Sequence, residues 1–443
     1  MKRGCDGDKL KIALVSDFFC PNTGGIETHI YYLAGCLRAS GHEVVVITHS
    51  YGKRRGIREL SNKIKVYYLP TIVIFQSTSL ASVCGTLYWF RKIFLKEHIQ
   101  VVHGHSSFSS LAHEAMLHAW CMGLPTVFTD HSLYGFADAS AILINKLLIR
   151  YSFTNISRII CVSHICKENT VLRAGLPPNR VFVIPNAITT DLFTPDAELF
   201  YSNPITVVVL CRLMYRKGAD LLVDIIPEVC RRHSTVRFLI GGDGPKRVEL
   251  EEMREKFKLH NRVIMLGVLP HDKVRDTLIQ GQIFLNTSLT EAFCMSIVEA
   301  ASCGLYVVST KVGGIPEVLP ESYATLTEPN PADLCVAVLD AIRLHENGLL
   351  MSPIDKHAKV CDMYRWSNVT ERTERVYRTA LADPPVPVSR RLKNYISAGF
   401  WFGLIWVWAA IMNLLMLSFF DLIDKRSHYE EPIAPKNKRS RAK

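Results

Sequence analysis

Residues 283 to 310 read IFLNTSLTEAFCMSIVEAASCGLYVVST: a short apolar run, a polar loop, an apolar-periodic segment, a glycine and a second β-branched run. The spacing predicts a strand through IFLNTS, a loop carrying Glu291, a helix with Glu299 in its second turn, and a stop at Gly304. The strand LYVVST follows. Strand, helix and strand in this order form a parallel crossover unit. Glu291 and Glu299 therefore flank a helix N-terminus whose free amides suit a phosphate, while the acids can accept protons from sugar or ribose hydroxyls. The same positions also suit one acid placed by the helix dipole and another on a solvent face. The residue pattern alone leaves both open.

The alternation extends in both directions. Upstream lie KIALVSDF, HEVVVITH, QVVHGH, PTVFTDH, RIICVSH and RVFVIPN; after the polar, proline-marked stretch from Pro195 to Pro204 come ITVVVLCRL, VRFLIGGDG and RVIMLGVL. Strands alternating with helices predict an α/β chain with two doubly wound parallel sheets, one in residues 1–200 and one in 201–365, followed by a helix and linker at 366–394. With 443 residues, 48% of them hydrophobic, the chain can fill two such cores. Ligands bind at the carboxyl ends of strands in this architecture, so the cleft between the two domains is the expected site.

Residues 396 to 420 carry no charge and are mostly apolar, long enough to span a bilayer. The expected span is 395–421, with a basic tail at 422–443. The N-terminus lacks the apolar core of a secretory signal, so the body of the chain is expected in the cytosol and the short tail in the lumen. Lys and Arg are denser after the span than just before it, which argues for the opposite orientation. A second uncharged stretch, 71 to 90, holds seven Ser, Thr or Gln residues; it suits a buried element with a loop, or a segment in the membrane interface.

The net charge of +11 gathers in that tail and at Lys53 to Lys65. Two patches without interleaved aromatic residues do not make a nucleic-acid surface, so anionic lipid or plain solvation accounts for them. The thirteen cysteines are scattered singly, as in a reduced compartment, and the sequons at Asn155, Asn286 and Asn368 are taken as accidental.

Other residues carry possible chemistry. Gly24 and Gly25 open a helix after the first strand, which suits an anion or a simple turn. Arg212 and Lys217 lie five apart in the loop of CRLMYRKGADLL and can point at one diphosphate, or simply at solvent. His131 follows Asp130 past a strand end, while His103 and His105 close another strand. Without a third ligand at zinc spacing, no metal site is expected there. The single D-x-D, Asp6 to Asp8, lies in a segment expected to fray.

Taken together, the E-x7-E pair of Glu291 and Glu299, Gly24-Gly25, Arg212 with Lys217, GGDGPKR at 241–247 and KVGGIPEVL at 311–319 resemble glycosyltransferase family 4, retaining enzymes of the GT-B fold. The resemblance covers about residues 11 to 380. Within it, VSDFFCPNTGGIETHIYYLAGCL and HSSFSSLAHEAMLHA are similar to the transferases that begin glycosylphosphatidylinositol anchor synthesis. That resemblance implies UDP-N-acetylglucosamine as donor and phosphatidylinositol in the endoplasmic reticulum membrane as acceptor, with other membrane subunits as partners and no metal cofactor. It places Arg212 and Lys217 on the diphosphate, Glu299 on the ribose and Glu291 on the sugar. Backbone amides of Phe293, Cys294, Met295 and Ser296 meet the sugar hydroxyls and distal phosphate. Gly24 and Gly25 close from the other domain, and His131 stands beside the anomeric centre. Many relatives carry Gly where this chain has Cys294, so a larger side chain is expected to narrow the pocket. Another membrane-tethered family 4 transferase, or a non-catalytic scaffold of the same fold, are the alternatives.

Overall fold

The structure, a computed structural model, describes residues 9–22, 24–75, 77–134 and 145–424. The Asp6 to Asp8 pair and most of the basic tail lie outside these residues. Apolar runs become strands where neighbours can cover both faces. In the first sheet these are β1 (Lys11–Val15), β2 (Glu43–His49), β3 (Gly56–Glu59) and β4 (Lys65–Leu69), with β5 (Val73–Phe75) and β6 (Thr78–Ser79) forming a separate small hairpin. β7 (Val101–His105), β8 (Thr126–Asp130), β9 (Arg158–Cys161) and β10 (Val181–Val183) complete it, in the order β10-β9-β8-β7-β1-β2-β4-β3. Only β3 runs antiparallel, and it is exposed throughout. The Lys53 to Lys65 segment is thus a charged sheet edge, a placement that discourages pairing with another chain.

The second sheet holds β11 (Thr206–Leu210), β12 (Arg237–Gly241), β13 (Val263–Gly267), β14 (Ile283–Asn286), β15 (Tyr306–Thr310) and β16 (Ala324–Thr327). Its order is β13-β12-β11-β14-β15-β16, all parallel. Chain direction across the sheet reverses between β11 and β14, so their loops splay apart and leave a crevice at the carboxyl ends. The loops following these two strands carry Arg212, Lys217 and Glu291.

The two domains meet through polar caps rather than apolar surface alone. Ser163 Oγ donates to the Ala292 carbonyl at 2.7 Å, and the Glu317 carboxylate accepts from the amides of His164 and Ile165 at 2.6 and 2.9 Å. The helix Trp366–Ala382 crosses back onto the first domain, where Tyr377 is fully buried with its hydroxyl 2.7 Å from His103 Nδ1. Asn155 and Asn286 are both buried in the folded chain.

The apolar C-terminal helix runs Phe400–Ile423, and its length and mean hydropathy of 1.9 fit a transmembrane helix. The stretch at 71–90 becomes the β5–β6 hairpin and the start of the helix Leu87–Lys96. Leu87 and Phe90 are buried there, while Ile72, Ile74, Tyr88 and Trp89 are exposed.

Gly218 is the backbone hinge on which the β11 loop depends. Its φ is +64°, and a Cβ there would lie 1.8 Å from the Thr287 carbonyl oxygen. Gly52 has a similar φ of +53° with open space around it. A left-handed non-glycine residue costs about 1–2 kcal/mol. Gly52→Ala should cost only that, whereas Gly218→Ala must also push the β14 loop away and should lower the unfolding midpoint of the purified protein by several degrees more. Equal losses would contradict the close approach.

Candidate active site

The loop after β11 presents Arg212 on the surface and Lys217 in a half-buried position. Lys217 Nζ forms an ion pair with Glu291 Oε1, and Ser288 Oγ donates to the same carboxylate oxygen at 2.9 Å. The Thr287 hydroxyl holds the Lys217 carbonyl at 3.0 Å. Burial alone would lower the Lys217 pKa, but the Glu291 carboxylate, together with the Cys294 and Cys211 sulfurs, more than offsets it and leaves the ammonium above its ordinary value. The Arg212 carbonyl accepts from the Met214 amide at 2.9 Å, while its guanidinium is exposed. Its charge is felt instead by Glu27 in the first domain, whose carboxyl is raised mainly by burial and lowered in part by Arg212. Glu27 is a cleft residue that the sequence did not single out; its only sequence signal is its place in the first turn of the helix after Gly24.

The Glu291 loop is clamped from behind by KVGGIPEVL. Gly314 N–H donates to the Glu291 carbonyl at 2.9 Å, and a Cβ on Gly313 would meet that carbonyl at 2.2 Å. These glycines exist because two backbones touch. Cys294, at the N-terminus of the helix Met295–Ser302, has φ +69°, a conformation that favours glycine. Its side chain is buried, with Sγ 3.4 Å from Ser296 Oγ and close enough to feel the charges of Glu291 and Lys217, and burial pushes the thiol up to about 12. The Phe293 side chain is likewise buried, against the Tyr364 ring. These two residues can offer a ligand only their backbones, while Met295 and Ser296 are half-buried. Glu299 is half-buried, its carboxyl makes no hydrogen bond or ion pair among the described residues, and burial pushes that carboxyl up to about 7.

In the first domain, Gly24 and Gly25 are exposed at the start of the helix Gly25–Ala39. Gly24 is extended, so its backbone alone does not require glycine. One turn further His29 points inward, and its ring lies 4.8 Å from that of His131. His105 Nδ1 is 3.4 Å from His131 Nε2. Ring nitrogens of His29, His105 and His131 all fall within 4.8 Å of one another. Sequence spacing found no third histidine because His29 arrives from a different strand-helix unit. Burial, together with the neighbouring histidines, drives all three down, His131 to about 3, so they are neutral imidazoles. Asp130, next to His131, is not a cleft residue: it is fully buried, paired with Arg173, and accepts from Ser107 Oγ and Thr170 Oγ1 at 2.9 Å.

Chemically, a half-buried cation paired with an acid, an exposed arginine, a buried carboxyl and a neutral histidine cluster are groups that suit a ligand with one strongly anionic end and a hydroxyl-rich body. Residues 49–138 match the family model described as PIGA (GPI anchor biosynthesis), and 204–343 match glycosyl transferases group 1. The fold is similar to HepE of Anabaena solved with UDP, at a TM-score of 0.66 and 17% identity, covering 84% of this chain and 100% of that one. A phosphatidylinositol N-acetylglucosaminyltransferase subunit of Arabidopsis thaliana is 50% identical over 423 residues, covering 96% of this chain and 94% of the relative. Its Homo sapiens namesake is 52% identical over 409 residues, covering 92% and 84%. The chain thus belongs to the PIGA family of phosphatidylinositol N-acetylglucosaminyltransferase subunits, glycosyltransferases with the GT-B fold.

Proposed function

We propose that this chain transfers N-acetylglucosamine from UDP-N-acetylglucosamine to the inositol ring of phosphatidylinositol with retention of configuration, as the catalytic member of a multi-subunit complex of the endoplasmic reticulum membrane whose cleft faces the cytosol. The observation that carries this reading is the Lys217–Glu291 pair at the reversal point of the second sheet, beside the amide-rich start of the helix Met295–Ser302.

The chemistry follows from where charge develops. As the sugar-phosphate bond lengthens, negative charge builds on the leaving diphosphate. Lys217 and Arg212 neutralise it, the first as a point charge and the second as a planar fork. Donor entry draws Lys217 from Glu291 to the phosphates, and the freed carboxylate takes a sugar hydroxyl. Glu299 accepts the ribose hydroxyls. The amides of Phe293 to Ser296 meet the sugar and distal phosphate, and Gly24 and Gly25 close on the phosphates from the first domain. His131, being neutral, can hydrogen-bond beside the anomeric carbon without adding a charge that competes with the leaving group. With two cations at the phosphates, no divalent metal is required, and the departing phosphate oxygen takes the proton from the acceptor hydroxyl on the same face.

The assembled complex, given labelled UDP-N-acetylglucosamine and phosphatidylinositol, should form product. Lys217→Ala and Glu291→Ala should each lower the rate by about a hundredfold or more, since losing one stabiliser of developing charge costs a few kcal/mol. Unchanged rates in both variants would favour the scaffold reading, and transfer only from another nucleotide sugar would replace the donor.

Glu299 gives a pH test. Its carboxyl titrates near 7, and ribose hydroxyls donate to the ionised form, so UDP affinity should rise between pH 6 and 8. In Glu299→Gln that part of the slope should vanish in calorimetric titrations; parallel slopes would refute the ribose role.

A further inference from the structure

Buried histidines of the first domain differ in how their ring nitrogens are used. His103 bonds to Tyr377 and Thr129, both at 2.7 Å, His113 to Ser152 and the Ser107 carbonyl, and His118 to Asn413 and Thr86. Both nitrogens of each ring are committed, as in a satisfied core histidine. His29, His105 and His131 are different. Among the described residues, the only ring hydrogen bond of His105 or His131 is the 3.4 Å contact between them, and His29 Nδ1 is buried with no hydrogen-bond partner. Asn186, which lies near His29, also leaves its Oδ1 buried without one. Buried polar atoms left uncommitted together ask for a ligand.

The three rings converge because of strand order. β8, β7 and β1 lie side by side; His131 directly follows β8, His105 is the last residue of β7, and His29 sits one turn into the helix after β1. The third ligand that sequence spacing did not supply is therefore brought across the sheet rather than along the chain. A zinc ion held tetrahedrally at about 2.0–2.1 Å keeps imidazole nitrogens about 3.4 Å apart. His105 Nδ1 and His131 Nε2 already stand at that separation. Ligand nitrogens of all three lie within 4.8 Å of one another, so His29 has to close by no more than about 1.4 Å, a small turn of its ring. His29 and His105 are buried and His131 is half-buried, which walls the cluster behind and leaves it open toward the cleft.

We propose that His29, His105 and His131 form a binding site for a divalent ion of the zinc class, its fourth position open to the cleft, and that an ion bound there blocks sugar transfer. Imidazole ligands favour zinc, copper or nickel over magnesium and calcium. The ion is an inhibitor and not a cofactor, since two cationic side chains already serve the phosphates. It takes the His131 nitrogen and sets a double positive charge beside the anomeric carbon, where positive charge builds as the sugar-phosphate bond lengthens. The site rests on the histidine geometry alone; only its effect on transfer rests on the proposed function.

The test uses the purified full-length chain, stripped of metal with a chelator and titrated with Co2+. One ion per chain should give the intense visible bands of a four-coordinate nitrogen site, without the near-ultraviolet band that a thiolate ligand adds. His29→Gln and His105→Gln should each weaken binding more than tenfold, since even groups that only support a ligand cost about that much. Bands that persist at equal affinity in both variants, or that carry the thiolate signature, would overturn the site. In the transfer assay zinc should stop product formation, a chelator should restore it and magnesium should have no effect. Half-inhibition should need at least tenfold more zinc in His29→Gln, measured against that variant's own metal-free rate; equal potency in both proteins would contradict the blocking role. Failure of the transfer reading shows as absent product with the cobalt bands intact, and failure of the site as product formation indifferent to zinc.

Discussion

The ion pair between Lys217 and Glu291 is the interaction around which the second domain's loops are arranged. Neither residue would hold its position alone. Gly218 turns the lysine loop under Thr287, and Gly313 and Gly314 press against the carbonyls of Glu291 and Ala292. A half-buried ammonium and carboxylate kept in contact form a store of positive charge that stays ionised in a partly desolvated crevice. An anionic ligand can claim that charge by exchange, without the cost of desolvating a free lysine.

The two domains contribute opposite electrostatics to the cleft. The second supplies cations and acids. The first supplies a block of neutral histidines, kept uncharged by burial and by one another, and one acid, Glu27, that feels Arg212 from the other side. Ser163 and Glu317 hold the domains in contact near these loops, so the charged and neutral walls face each other through hydrogen bonds at helix starts. The apolar C-terminal helix is fixed to the histidine-bearing domain by Arg91, Asn413 and Trp406. The wall lined with uncharged groups therefore belongs to the domain that packs against this helix.

The fold was largely legible because buried parallel strands are nearly all apolar: KIALV, VFTD and YVVST each become strands within the predicted runs. Lys217 and Glu291 were legible as loop residues after neighbouring strands, although their contact depends on strand order, which periodicity does not encode. Cys294 was legible only in part for a related reason. Its left-handed backbone explains why glycine suits the position, but the direction of its side chain is set by packing beneath the helix. His29 was hidden in an amphipathic helix, where an inward histidine resembles any polar residue of a helix face. A helix was expected within 366–394, but the return of Trp366–Ala382 to the first domain is a tertiary event fixed by Tyr377, His103 and the Arg158–Asp383 pair. The C-terminal helix was legible in length and apolarity, whereas its buried seam became visible only with its partners from residues 83 to 151 in place.

A structure of the chain with UDP-N-acetylglucosamine bound tests the central claim most directly. Lys217 should have left Glu291 for the diphosphate, joined there by Arg212, with Glu299 on the ribose and Glu291 on the sugar. A donor bound elsewhere, with the Lys217–Glu291 pair intact and Glu299 untouched, would contradict it.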